Sequence, residues 1–110
     1  MKSFGEHLRQ LRKEKRITQR ELADKIKVDY TYISKIETGA LQPPSEDIII
    51  KIAKVLEVDA EQMIILGNKI PTKYKEIIVE DELAELFLRE IPNMTEEKKD
   101  KVRKAILGDD

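Results

Sequence analysis

The stretch TQRELADKIKVDYTYISKIE, from Thr18 to Glu37, reads as two short helices joined by a tight turn, and the rest of the chain is placed relative to it. Thr18 and Glu21 have the spacing of a capping box: the threonine hydroxyl accepts from a backbone N–H three residues on, and the glutamate reaches back. Ile17 and Leu22 stand at the positions of a hydrophobic staple. Leu22, Ala23 and Ile26 then make an inward stripe and leave Arg20, Asp24 and Lys25 to water. The second helix repeats the device, with Asp29 as N-cap and Val28 and Ile33 as staple. Its inward residues are Ile33 and Ile36. The opposite face carries Tyr30, Thr31, Ser34, Lys35 and Thr38, all hydrogen-bonding side chains.

Two short helices across a turn, the second presenting a polar face, is the arrangement that sets one helix into the DNA major groove. Thr18-Gln19-Arg20-Glu21-Leu22-Ala23-Asp24-Lys25, followed at fixed spacing by Ile33-Ser34-Lys35-Ile36-Glu37-Thr38-Gly39, resembles the phage repressor and Cro-type (XRE-like) helix-turn-helix family. The resemblance covers roughly Ser3 to Gly67. It implies an all-α, five-helix, lambda-repressor-like DNA-binding domain over residues 1–68, and leaves residues 69–110 as a C-terminal helical extension.

Composition agrees with that class. Charged residues make up 39% of the 110 and aromatics 5%, which suits a helical protein with an aliphatic core and a charged surface. There is no Cys, so disulfides and thiolate metal sites are excluded and a reducing cytoplasm is the expected setting. The N-terminus lacks an apolar run and no segment is long enough to span a bilayer, so a soluble protein is expected. The net charge of −1 is unevenly spread: residues 1–42 hold ten Lys/Arg against six Asp/Glu, residues 43–67 two against five, and residues 68–110 nine against eleven. The positive segment is the one with the two-helix motif, as a DNA reader requires.

Outward from the motif, Ser3 and Glu6 open a first helix with Phe4, Leu8 and Leu11 on one face. His7, the only histidine, reads as a surface residue, because no further ligand stands at metal spacing. Gly39 suits a left-handed helix end, and Pro43-Pro44 prevents continuation. Ser45 caps a fourth helix with Ile49, Ile52, Ala53 and Leu56 inward, and Asp59 caps a fifth that stops at Gly67-Asn68. Ile70-Pro71-Thr72 reads as a linker. Glu76 to Ile91 reads as one helix with Val79, Leu83, Leu86, Phe87 and Ile91 in a stripe, although Ile77-Ile78-Val79 leaves open a short extended opening. Thr95 caps a charged last helix to Leu107. No internal repeat is seen.

The family resemblance implies roles for particular residues. Gln19 would bond a backbone phosphate and help orient the second motif helix. Tyr30, Thr31, Ser34 and Lys35 lie where the family reads base edges, with packing or a phosphate bond as the other use of Tyr30, and Thr38 is a further phosphate contact. Arg12 and Glu37 occupy the positions of a structural ion pair. Two departures matter: Lys27 stands where many members have Gly, so the turn either holds a strained non-glycine residue or takes another geometry, and Asp29 would repel phosphate unless its charge is used in capping or accepts from cytosine N4. A single motif contacts few base pairs, so a homodimer on an inverted-repeat operator is expected, with Leu83, Leu86, Phe87 and Ile91 either as its interface or packed back on the domain.

The function so indicated is a sequence-specific, double-stranded DNA-binding transcriptional regulator, and a repressor in particular. The alternative is a protein-interaction module of the same fold, an antitoxin or bridging factor with a regulatory protein partner. An enzyme is not indicated: there is no Gly-rich phosphate loop, no nucleophile–His pair and no metal cluster, and no cofactor is expected.

Overall fold

The computed structural model describes residues 2–108, which form α1 (Phe4–Glu14), α2 (Gln19–Ile26), α3 (Tyr30–Thr38), α4 (Glu46–Leu56), α5 (Ala60–Leu66), α6 (Thr72–Glu80), α7 (Glu82–Glu90), a 3₁₀ turn (Ile91–Asn93) and α8 (Glu96–Leu107). No strand occurs among the described residues. The chain divides into two compact units, the first ending at Pro71 and the second beginning at Thr72.

In the first unit the sequence's capping residues do what their chemistry requires. Ser3 Oγ accepts from Glu6 N at 3.2 Å, and Thr18 Oγ1 accepts from Glu21 N at 3.0 Å while Glu21 Oε1 accepts from Thr18 N at 3.2 Å. Asp29, Ser45 and Asp59 cap α3, α4 and α5 in the same manner. With starts fixed, the apolar stripes meet in one core: Phe4 and Leu8 from α1, Leu22, Ala23 and Ile26 from α2, Ile33 and Ile36 from α3, Ile49, Ile52, Ala53 and Leu56 from α4, Met63 and Ile64 from α5. Ile17, Val28 and Tyr32 pack against its edge. His7 is half-buried and not fully on the surface, because the side of α1 it occupies borders Leu66 and Met63 in a shallow groove.

Four of the five helix ends in this unit share one device. Arg16, Lys27, Glu57 and Asn68 take positive φ of 57°, 60°, 56° and 59°. The next residue's N–H then turns back to the carbonyl five positions earlier: Ile17 to Arg12 at 3.0 Å, Val28 to Ala23 at 2.9 Å, Val58 to Ala53 at 3.0 Å and Lys69 to Ile64 at 3.2 Å. This is the Schellman closure, and Ile17, Val28 and Val58 add the apolar contact that accompanies it. Two of these ends also recur in sequence, Ala23 to Asp29 and Ala53 to Asp59, each with Ala first and Val-Asp last, a local repeat that the sequence reading passes over. The turn between α2 and α3 therefore holds Lys27 in the left-handed region, at φ 60° and ψ 49°. A side chain there strains the backbone by about 1 kcal/mol relative to glycine. Lys27 is exposed, so Lys27→Gly is expected to raise stability by about 1 kcal/mol, read as a higher urea midpoint at unchanged slope.

The second unit departs from the sequence reading at its opening. The expected single helix over residues 76–91 is two helices, and Thr72 belongs to the first of them and not to a linker. The break is at Asp81, whose backbone is extended at φ −117° and ψ 112° and whose carboxylate accepts from Leu83 N at 2.9 Å. A short acidic side chain that can bond its own downstream backbone offers an alternative to the helix ladder, and here it starts a new helix. Val79 is thereby parted from the Leu83–Leu86–Phe87 stripe and is 85% exposed. Ile77 and Ile78 are helical. No described residue from Thr72 onward is buried.

Candidate nucleic-acid interface

The site is built around α3, and what fixes α3 is a polar cluster at its C-terminal end. Arg12 and Glu37 are both buried and meet through two hydrogen bonds, Nε to Oε2 at 2.7 Å and Nη2 to Oε1 at 3.0 Å. Arg12 Nη1 also donates to the Ile17 carbonyl at 3.0 Å, and Gln19 Nε2 donates to Glu37 Oε1 at 3.1 Å. One carboxylate thus gathers α1, the α1–α2 connection and the start of α2 onto the last turn of α3. Charge-assisted bidentate contacts are the strong kind. The hydrogen bonds that Arg12 donates to Glu37 hold its pKa above its usual value, against the opposing effect of burial and with help from the Glu37 charge. Arg12 therefore stays charged up to strongly alkaline pH, and its share of the pairing stability is lost only as pH rises through that elevated pKa. No buried side-chain polar atom lacks a partner among the described residues.

A second fastening has no ionic component. Gly5 is buried in α1, and a Cβ there would lie 2.3 Å from the Ile36 carbonyl oxygen and 2.7 Å from that of Glu37. The backbone of α1 thus touches the last turn of α3 directly. Apolar periodicity does not single out Gly5; its signal is an isolated glycine inside an otherwise regular helical pattern, which calls for a packing reason.

With α3 held from behind, its outer face is displayed. Tyr30, Thr31, Lys35 and Thr38 are exposed and Ser34 is half-buried. Thr38 Oγ1 donates to the Lys35 carbonyl at 3.2 Å. Asp29 is engaged in capping, its carboxylate accepting from Thr31 N at 3.2 Å, which draws its charge toward the helix start. Gln19, expected to face phosphate, is half-buried and has one amide N–H committed to Glu37. Its carbonyl and second N–H are the groups left for another partner. Arg20, expected to be merely solvated, lies over the Tyr30 ring with its guanidinium carbon 4.3 Å from the centroid.

The expected interface residues of the second unit lie on α7 and the turn after it. Leu83, Leu86 and Phe87 are 67%, 45% and 37% exposed, and Ile91 is half-buried. They line two shallow grooves that share Phe87 and Met94. Among the described residues no cluster of metal-ligating side chains occurs, and no helix is long and apolar enough to cross a membrane.

Comparison with known proteins places this geometry. The family model described as helix-turn-helix matches residues 8–63. The HTH-type transcriptional repressor RghR of Bacillus subtilis is 41% identical over 61 residues, which are 56% of this chain and 45% of RghR, so the chain spans under half that relative's length. A crystal structure of SinR, the master regulator for biofilm formation, in complex with DNA is 34% identical, with a TM-score of 0.52 over 56% of this chain and 97% of the SinR chain. A SinR–SinI complex covers 94% of this chain and 78% of the matched chain at 24% identity and a TM-score of 0.51, a likeness of fold. The cap-and-stripe pattern, the five-helix unit and these matches agree: the chain belongs to the XRE-like helix-turn-helix family, a family of transcriptional regulators and not a class of enzymes.

Proposed function

We propose that the protein is a transcriptional repressor that binds double-stranded DNA as a homodimer and reads the major groove with α3. The observation that carries the reading is the contrast between the two sides of α3: its inner side is fixed by the buried Arg12–Glu37 pair and Gly5, and its outer side exposes Tyr30, Thr31, Lys35 and Thr38. A rigidly held helix with a free polar face is what base recognition needs, since misplaced donors lose their bidentate geometry. The likeness to SinR bound to DNA supports it. In this reading Lys35 donates to guanine O6 or N7, Thr31 meets a thymine methyl, Ser34 serves either base, and Gln19 and Thr38 hold phosphates.

Selection from a pool of random duplexes tests the proposal. The wild type is expected to enrich an inverted repeat with half-sites about one DNA turn apart. The Thr31→Ala/Lys35→Ala variant is expected to lose that enrichment and retain only weak, salt-sensitive binding. A folded wild type that enriches nothing overturns the reading in favour of a protein-interaction module.

The second unit supports the dimer. None of its described residues is buried, so alone it lacks the core that about forty residues need for stability. A second copy laid on Leu83, Leu86, Phe87 and Ile91 would supply the missing half. The first unit's core ends at Ile64, so a chain stopped at Asn68 keeps it whole. That shortened chain is expected to sediment as a folded monomer while the full chain sediments as a dimer. A shortened chain that remains dimeric would refute the assignment of the interface to this unit.

A further inference from the structure

We propose that Arg20 and Tyr30 form a phosphate clamp that anchors the leading end of α3 to the DNA backbone. The inference rests on the DNA-binding reading above and adds to it a residue that sequence patterning leaves in solvent. Arg20 is the second residue of α2 and Tyr30 the first of α3, so the contact ties together the starts of both motif helices. The guanidinium carbon lies 4.3 Å from the ring centroid, within the range of a cation–π contact, and Tyr30 is 39% exposed.

What Arg20 forgoes is informative. Asp24 stands one turn along the same helix, where an i,i+4 carboxylate is a ready partner, yet Arg20 makes no ion pair among the described residues. Arg12, Arg89 and Arg103 each face a carboxylate, and Arg9 and Arg16 face none, but of the described arginines Arg20 alone is seated on a ring. A ring satisfies the cation through its face and uses none of the five N–H donors, so the fork remains free and restrained in direction. A planar fork of fixed aim suits an anion with several acceptor oxygens. The helix that bears it selects phosphate over a base edge: in this motif the first helix crosses the DNA backbone while the second enters the groove. Tyr30 is then the platform of a backbone contact, with its hydroxyl available to the same phosphate.

The test is a salt series on the full chain, with the selected duplex and a random duplex, for the wild type, Arg20→Ala, Arg20→Lys and Tyr30→Leu. Arg20→Ala is expected to weaken binding to both duplexes by about tenfold and to make the slope of log affinity against log salt shallower by about one per bound protomer. Arg20→Lys keeps the charge, so it is expected to keep the slope while losing a fewfold, about three, from the lost fork and platform. Tyr30→Leu is expected to behave like Arg20→Lys. An Arg20→Ala protein that matches the wild type in affinity and slope overturns the clamp, and so does a loss confined to the selected duplex, which would make Arg20 a base reader. A wild type with no salt-dependent binding overturns the DNA reading itself, an outcome distinct from an unaffected variant beside a binding wild type.

Discussion

Glu37→Ala is expected to destabilise the first unit by about 3 to 5 kcal/mol, out of the roughly 5 to 15 kcal/mol that holds a typical domain folded. Among the described residues the mutation removes the only carboxylate that Arg12 meets, and it leaves Arg12, a residue only 9% exposed, without its counter-ion. It also frees the Gln19 amide, whereas the bond from Arg12 to the Ile17 carbonyl is retained. Urea unfolding followed by far-ultraviolet circular dichroism reads the loss directly. The companion variant Arg12→Met/Glu37→Leu separates two roles of the pair. Replacing both partners by apolar side chains of similar size removes the desolvation cost along with the attraction, so its stability is expected within about 1 kcal/mol of wild type. Its DNA affinity is still expected to fall, because Gln19 and the last turn of α3 lose their common anchor. A double variant that is as unstable as Glu37→Ala would show that the pair contributes net stability, and one that binds DNA like the wild type would show that it does not position α3.

Gly5→Ala is the second large effect, and two opposed magnitudes decide it. Alanine is a better helix former than glycine by about 0.8 to 1 kcal/mol, which favours the variant. Against this, the new methyl would sit 2.3 Å from one backbone carbonyl oxygen, 2.7 Å from the next and 2.9 Å from a carbonyl carbon. Backbone atoms inside a packed helix cannot swing aside as a side-chain tip can, so α1 must lift from α3 and carry Phe4 and Leu8 with it. Overpacking of this kind costs about 3 kcal/mol, so a net loss of about 2 kcal/mol or more is expected. Thermal unfolding checks the sign: a raised midpoint would mean that helix propensity outweighs the clash.

How legible this was in the sequence follows from the range of each interaction. Ser3, Thr18, Asp29, Ser45 and Asp59 act on backbone groups two or three residues away, so helix starts and inward stripes over the first unit are read directly from spacing. Arg12–Glu37 spans 25 positions and comes only through family resemblance; periodicity carries no trace of it. The partners of Gly5 and Arg20 are unreadable for the same reason, because what each touches belongs to another helix, although the glycine itself stands out in the helical pattern. The break at Asp81 is a different failure. The apolar spacing from Val79 to Phe87 satisfies one continuous helix, and the cap that interrupts it is signalled only by Asp81 with Glu82 and Glu85 after it, a local signal outweighed by the stripe.

The four left-handed helix ends carry a consequence for how this protein can change. Arg16, Lys27, Glu57 and Asn68 each hold a conformation in which glycine would rest more easily, so the fold stands below its attainable stability by an amount that adds up to about 2 to 4 kcal/mol. Because the sites are separate turns, the relief at each is independent of the others. Substituting glycine at these ends gives the chain slack to accept otherwise ruinous changes on α3, which makes them the places to begin if the proposed reading face is to be retargeted to a different DNA sequence.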